Sequence, residues 1–389
     1  MRVSTDLSKC IVSLFLTAVY LVFGLIVFRS TNVDALAISN ENADVKEEFS
    51  TNIESNIEMY EQFINEISGF ENKTVDEVKV LEDFNGELYI DIECSPTGYA
   101  IVNYQYGIIL EMAVDAVSPY KNFEGELIYG GPTYYYKEVS TFLNTSNIFN
   151  LYDLMADESI SLDVDQFNEF QTYNDAIFEK TTEIYEEETV SITPSPRSVL
   201  EAYIENYQYI SQLENFGENI EGTCGYIAAA IVLYYNYMQF DTRFIDSEHL
   251  CPEGGIKDSL HQELRSIGQS LGIGNSTWAA DIAAVMEEYT ENRVPEATHY
   301  YMALSTSLNI DLCFADNKPV ILFGNFQLPT GGSGNHAVVA YGYRQHTELW
   351  FNTRYYYVHF GWEGYGMVQL LDNVFTNPIG SMYNMNPEG

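Results

Sequence analysis

The stretch Gly222-Thr223-Cys224-Gly225-Tyr226-Ile227-Ala228-Ala229-Ala230 (GTCGYIAAA) decides how this chain is read. It is apolar and rich in alanine, and the pattern runs on to Phe240, which predicts a buried helix beginning at Cys224. A thiol at a helix start meets free backbone N–H groups and the positive end of the helix dipole, both of which favour the thiolate. Gly222 and Gly225 leave space for another backbone to approach. The Cys224 N–H is placed to donate to an oxyanion. An isolated cysteine there reads as a small buried hydrophobe, so the chemical reading needs a base.

His336 supplies one. It opens His336-Ala337-Val338-Val339-Ala340-Tyr341-Gly342-Tyr343, an apolar run that predicts a buried strand. The glycine stretch Thr330-Gly331-Gly332-Ser333-Gly334 precedes it. An imidazole at the start of a core strand, beside a pliant loop, suits a base that must meet a substrate. His249, His261, His299 and His346 fall in loops or on polar helix faces and read as surface residues. A third patch, Val358-His359-Phe360-Gly361-Trp362-Glu363-Gly364, can shield a Cys–His pair from water.

With KPVILFG (318–324), these segments form an ordered series: GTCGYIAAA, KPVILFG, NHAVVAYGY (335–343) and VHFGWEGYG (358–366). The series resembles papain-like cysteine peptidases, above all the streptopain-like bacterial branch and related cysteine peptidases of Gram-positive bacteria. It covers about half the chain, from Ser198 to the end. The resemblance implies an α+β fold, with a helical half and an antiparallel β half, following a small α+β propeptide-like domain. It also implies Cys224 as nucleophile, His336 as general base and Trp362 as a cover over the histidine. In the family an Asn just before the aromatic-and-glycine run orients the base. His359 stands at that position here, with Asn352 as the alternative. A side-chain oxyanion donor a few residues before the cysteine is implied as well, with Asn219 ahead of Asn215 and Gln212 on proximity.

The expected activity is peptide-bond hydrolysis through an acyl-enzyme, on a peptide or protein substrate, with no metal and no cofactor. Two rivals stay open. A Cys–His acyltransferase of the transglutaminase kind would keep the fold and change the acceptor. A binding protein on a degenerate peptidase fold would keep neither activity.

Around this core the remaining segments fall into place. Ile256, Leu260, Leu264, Ile267 and Leu271 share one face of a helix, and a further helix is expected over residues 276–291. Asn317-Lys318-Pro319 breaks the helical pattern, and strands follow at 320–323, 336–343, 355–360 and 367–371. Upstream, Glu183 to Arg197 (EIYEEETVSITPSPR) has the composition of a linker open to proteolytic nicking.

Residues 38–182 form the propeptide-like domain. Its helix is marked by Ile53, Ile57, Tyr60, Ile64 and Ile67, and its strands by Leu88, Ile90, Ile92 and Cys94 and by the turn-rich GELIYGGPTYYY (125–136). It contains no histidine. Residues 1–37 read as a signal peptide, with Arg2 and Lys9, the run Ile11–Phe28 and the small-x-small Ala35-Leu36-Ala37. The run is also long enough for an uncleaved anchor. The expected division is therefore 1–37 signal, 38–182 propeptide-like domain, 183–197 linker and 198–389 peptidase domain.

Composition narrows the partners. Lys and Arg number 17 against 57 Asp and Glu, a net charge of −40. Such a field repels nucleic acid and anionic lipid and fits a protein kept soluble outside the cell. No membrane contact is expected after signal cleavage, and the N-terminal domain is expected to be a propeptide: a folding aid, an inhibitor that fills the cleft, or both. Five cysteines, without a CxxC, suggest neither a disulfide framework nor zinc. Cys313 reads as core, and a Cys251–Cys313 disulfide is the minor alternative.

Overall fold

Short apolar and alternating runs make strands of much of the chain, and those strands join edge to edge. The computed structural model describes residues 57–67, 69–139, 148–190, 198–217, 222–275, 277–303, 306–324, 336–348, 351–372 and 381–388. The expected signal segment, the glycine stretch 330–334 and Asn219 lie outside the described residues.

The first half runs α1 (Ile57–Asn65), β1 (Thr74–Glu82), β2 (Leu88–Ser95), β3 (Tyr99–Asn103), β4 (Ile109–Ala113), β5 (Leu127–Tyr129), β6 (Tyr135–Glu138), β7 (Ile148–Asp153), β8 (Glu158–Asp163) and α2 (Val164–Val190). The second runs β9 (Ser198–Tyr203), α3 (Gln208–Ser211), α4 (Cys224–Gln239), α5 (Asp258–Ser270), α6 (Ala279–Thr290), β10 (Thr298–Met302), α7 (Ser307–Ala315), β11 (Val320–Phe323), β12 (Ala337–Glu348), β13 (Phe351–His359), β14 (Val368–Leu371) and β15 (Ser381–Asn386). The fold is mixed α+β.

Among the described residues the strand order is β10-β15-β11-β12-β13-β14-β4-β3-β2-β1-β5-β6-β7-β8, with β9 beside β12. The two halves of the chain thus share one sheet. They join where β14 pairs antiparallel with β4, Val368 opposite Ala113 and Leu370 opposite Glu111. Ile53–Gly389 forms one compact unit.

β12 changes partner along its length. Ala337–Ala340 pair with β11, and from Gly342 onward the strand pairs with β9. A Cβ at Gly342 would lie 2.7 Å from the Ala202 carbonyl oxygen, so only glycine lets β9 come this close. The change of partner leaves the first residues of β12 facing α4, which packs on β11 and β12. α4 is buried from Cys224 through Leu233, as its apolar run predicts.

Three sequence expectations differ from the fold. Residues 183–190, assigned to a linker, continue α2 as its last turns, because the charged run EIYEEETV suits a helix as well as a linker. On β2 the polar partners of the apolar residues are covered as well: Asp91 and Glu93 are buried along with Ile92 and Cys94. On α5 the apolar stripe stops short, with Leu271 exposed and Gly268 buried under the Tyr226 ring.

The first half packs around a buried carboxyl. Glu111 on β4 is fully covered and accepts the hydroxyls of Tyr135 at 2.8 Å, Tyr99 at 3.2 Å and Tyr129 at 3.5 Å. Burial pushes its carboxyl up to about 8, against the pull of those hydroxyls.

Candidate active site

Cys224 is the first residue of α4, and its side chain is covered to within 6%. Three backbone N–H groups act on its sulfur: that of Ala337 at the start of β12, that of Gly225 and its own. The sulfur also lies 4.0 Å from the Gly222 carbonyl oxygen. The three donors favour a thiolate, but burial outweighs them and pushes the thiol up to about 11.

His336 immediately precedes Ala337 and is buried. The Ala337 N–H at the sulfur therefore brings Cys224 to the backbone beside His336. Its Nε2–H donates to the Phe360 carbonyl oxygen at 2.8 Å. With the proton on Nε2, Nδ1 carries the free lone pair. The Trp362 ring stacks on the imidazole, 4.3 Å between centroids and 17° between planes. Burial drives the His336 pKa down to about 4, opposed by the Phe360 bond. At neutral pH the two groups are thus a neutral thiol and a neutral imidazole.

The first half of the chain reaches the site through one hairpin. β5 and β6 form a hairpin whose tip is Gly130-Gly131-Pro132-Thr133-Tyr134. The turn is tight: Gly130 N–H bonds the Tyr134 carbonyl at 2.9 Å, and Gly131 has φ +107°. A Cβ at Gly131 would meet Tyr173 of α2 at 2.5 Å, so glycine lets the tip lie flat on that helix. The Tyr134 hydroxyl lies beside the His336 backbone N–H and is close enough to Cys224 to feel its charge. Its ring packs edge-on to Phe170 and Tyr173.

His359 takes a different part from the one expected. Its Nε2–H donates to the Leu213 carbonyl oxygen at 2.9 Å, and its Nδ1 accepts from the Gly361 N–H at 2.9 Å. Both ring nitrogens are occupied by these partners, and the acceptor for His336 is the Phe360 carbonyl. A backbone oxygen fills the place of the expected side chain. Asn352 lies on β13 opposite Thr347, at the far end of the strand from His359. Gln212 and Asn215 are exposed.

Two histidines read as surface residues are buried. His249 bonds Ser259 at 2.9 Å and Glu263 at 2.8 Å, and His261 lies 3.3 Å from Asp258. Both serve the packing of α5, at a polar face that sequence polarity alone assigned to solvent. His299 bridges Thr290 and the Tyr383 hydroxyl at 2.9 Å each. Cys313 is core, and Cys94, Cys224, Cys251 and Cys313 are all free thiols.

Two contributors escaped the sequence. The Phe360 carbonyl has no side-chain letter to betray it. Tyr134 lay in a run noted only for its turns, although two glycines and a proline beside three tyrosines signal a stiff loop carrying aromatic groups.

No protein-family model matches the chain. No curated protein matches it either. Among solved structures it is similar to a fragment of Prevotella intermedia prointerpain A, with a TM-score of 0.36 and 13% identity over 79% of this chain and 98% of that one. It is also similar to a protein described as a C39-like peptidase from Bacillus anthracis, with a TM-score of 0.29 and 12% identity over 49% of this chain and 100% of that one. Likeness at these scores bears no weight, so function has to be argued from the residues of the site.

Proposed function

We propose that this chain is an exported, papain-like cysteine peptidase held latent by its own N-terminal half. One observation carries the proposal: the N–H that reaches the Cys224 sulfur belongs to Ala337, the residue after His336, whose ring is bonded to Phe360 and stacked on Trp362, while the Tyr134 hydroxyl lies beside the His336 backbone N–H.

In the active form His336 Nδ1 takes the Cys224 proton, and the thiolate attacks a peptide carbonyl. The oxyanion forms near the Cys224 N–H at the helix start. His336 then gives its proton to the leaving amine, which departs and leaves a thioester on Cys224. The same imidazole activates water to release the acid and restore the thiol. None of these steps calls on a metal or a cofactor.

Latency follows from the buried site. An ion pair is costly where burial holds both groups neutral, and admitting water or substrate lowers that cost. Residues 38–182 act as a propeptide, removed by cleavage within about residues 183–198, and the substrates are peptides or proteins outside the cell.

Intact-mass analysis of exported protein should show loss of the N-terminal half, and Cys224→Ala should abolish hydrolysis of peptide substrates. A Cys224→Ala protein as active as wild type would sink the peptidase assignment. Acyl transfer to an added amine in preference to water would replace it with a transferase. A mass showing only signal removal would end the propeptide part.

A further inference from the structure

The peptide group joining Phe360 to Gly361 is held at both ends by a buried histidine. Its carbonyl accepts the His336 Nε2–H at 2.8 Å, and its N–H donates to His359 Nδ1 at 2.9 Å. His359 Nε2–H in turn donates to the Leu213 carbonyl at 2.9 Å. Three hydrogen bonds therefore run head to tail in one direction through a single planar amide. Aligned bonds of this kind polarise one another where water is excluded.

Every part of the chain of bonds is fixed. His359 is 1% exposed, and the Phe216 ring meets it edge-on at 5.0 Å. Gly361 (φ +78°) and Gly364 (φ +80°) turn the loop that carries Trp362, and the loop is closed by Phe360 N–H to the Tyr365 carbonyl at 3.0 Å. The Gly366 carbonyl accepts the Tyr341 hydroxyl at 2.7 Å. Leu213 lies in the segment that leads from α3 towards Cys224. One imidazole thus ties the approach to the nucleophile to the loop that covers the base. Burial holds that imidazole neutral, its pKa near 4. Only the neutral ring can accept from Gly361, since a protonated one would present a second donor to that N–H.

We propose that His359 is a positioning residue for the Cys224–His336 pair: by accepting from Gly361 and donating to Leu213 it fixes the Phe360 carbonyl, and through it the tautomer and plane of the His336 ring. The proposal rests on the peptidase assignment for its catalytic consequence, though not for its hydrogen bonds. It explains how the site works with a histidine at position 359: a backbone amide supplies the oxygen, and His359 supplies the rigidity.

Two measurements test it. The first is nitrogen NMR of isotope-labelled histidine in the full chain carrying Cys224→Ala. His336 and His359 should both appear as neutral Nε2–H rings at neutral pH, with slowly exchanging N–H protons. An Nδ1–H tautomer at either ring overturns the proposal.

The second is kinetic, on the full chain after maturation. His359→Leu can neither donate nor accept, and should lower kcat by about tenfold or more while KM stays within about twofold, as for other groups that orient a catalytic ligand from behind. His359→Gln can do both through its amide and should recover most of the loss. A His359→Leu protein with wild-type kcat, or a folded His359→Gln protein as slow as His359→Leu, overturns the proposal. If His359→Leu does not fold, the His336 tautomer in His359→Gln decides: Nε2–H supports the positioning role and Nδ1–H ends it. A wild-type chain without hydrolytic activity sinks the peptidase assignment alone, because the tautomers are read without turnover.

Discussion

The two halves of the described chain bury titratable groups of opposite kinds. The first half buries acids: Asp83 is pushed up to about 7, and Asp91 and Glu111 to about 8. The second buries bases: His336 and His359 are driven down to about 4. Burial is the leading cause in all five, and in all five it favours the uncharged form. The difference teaches that pH pulls on the two halves from opposite sides. The acids contribute fully below their ordinary range, and that contribution fades as pH rises from about 4 towards 8. The imidazoles contribute fully above about 6.5, and that contribution fades as pH falls towards 4. Both halves contribute residues around Cys224 and His336, so each end of the range should loosen a different side of that region.

Separate mutations on the two sides should break this symmetry, and the largest effect is expected in the second half. A Cβ at Gly366 would lie 2.1 Å from the Ser211 carbonyl oxygen and 3.4 Å from His359 Cδ2. Neither neighbour has room to yield, because one is backbone and the other is clamped. Gly366→Ala should therefore shift the covering loop and cost about a hundredfold in kcat/KM of the matured protein. Amide exchange in β1–β4 should stay as in wild type. Unchanged turnover would show that the loop does not hold the base.

The matching change in the first half should act with the opposite sign. Tyr134→Ala removes the group over Cys224 and admits water. In the unprocessed chain, alkylation of Cys224 at neutral pH should speed up by about tenfold, as a less buried thiol ionises more readily. Mass spectrometry after timed iodoacetamide treatment reads the rate directly. A rate equal to wild type would mean that something other than Tyr134 occludes the sulfur.

The smallest effect sharpens the pH contrast itself. Between about pH 6.5 and 8 the imidazole contribution is constant, so any loss of stability there belongs to the carboxyls. The melting temperature of the full chain should fall across this window, and Glu111→Gln should make the fall shallower. Glu111 faces the Tyr99, Tyr129 and Tyr135 hydroxyls and feels the charge of Asp91. A slope unchanged in Glu111→Gln would assign the pH response to the other raised carboxyls, Asp83, Asp91 and Glu169 among them.

What the sequence revealed and what it hid divide along the same physical line. Apolar runs were legible: α4 begins at Cys224 and β11 spans Val320–Phe323, both as expected, because a continuous apolar run has nowhere to go but the core. Charged and backbone groups were not. The last turns of α2 passed for a linker because a charged run suits helix and loop alike. The polar residues that alternate with the apolar ones on β2 gave no sign of their burial, and only the fold shows the hydroxyl over Asp91 and the lysine on Glu93. The expectation that Cys224 works with His336 came from the resemblance that the ordered motifs carry. The acceptor behind His336 could not be read that way, since every residue carries a carbonyl and only tertiary structure selects one.

The joint between β4 and β14 has a consequence for maturation. It is a short ladder of main-chain hydrogen bonds, from Ala113–Val368 to Glu111–Leu370, reinforced by the Tyr365 hydroxyl on the Val117 carbonyl at 2.8 Å. A cut near residues 183–198 severs the chain but none of these bonds. Scission would therefore yield a nicked, two-piece protein that is still closed, and activity would wait on the unzipping of one strand from another. Opening strips both strand edges of their partners and leaves them free to pair again. The lag between cutting and activity then becomes a dissociation time. Added N-terminal fragment should leave that time unchanged and lower the final activity, because it re-forms the closed pair by mass action.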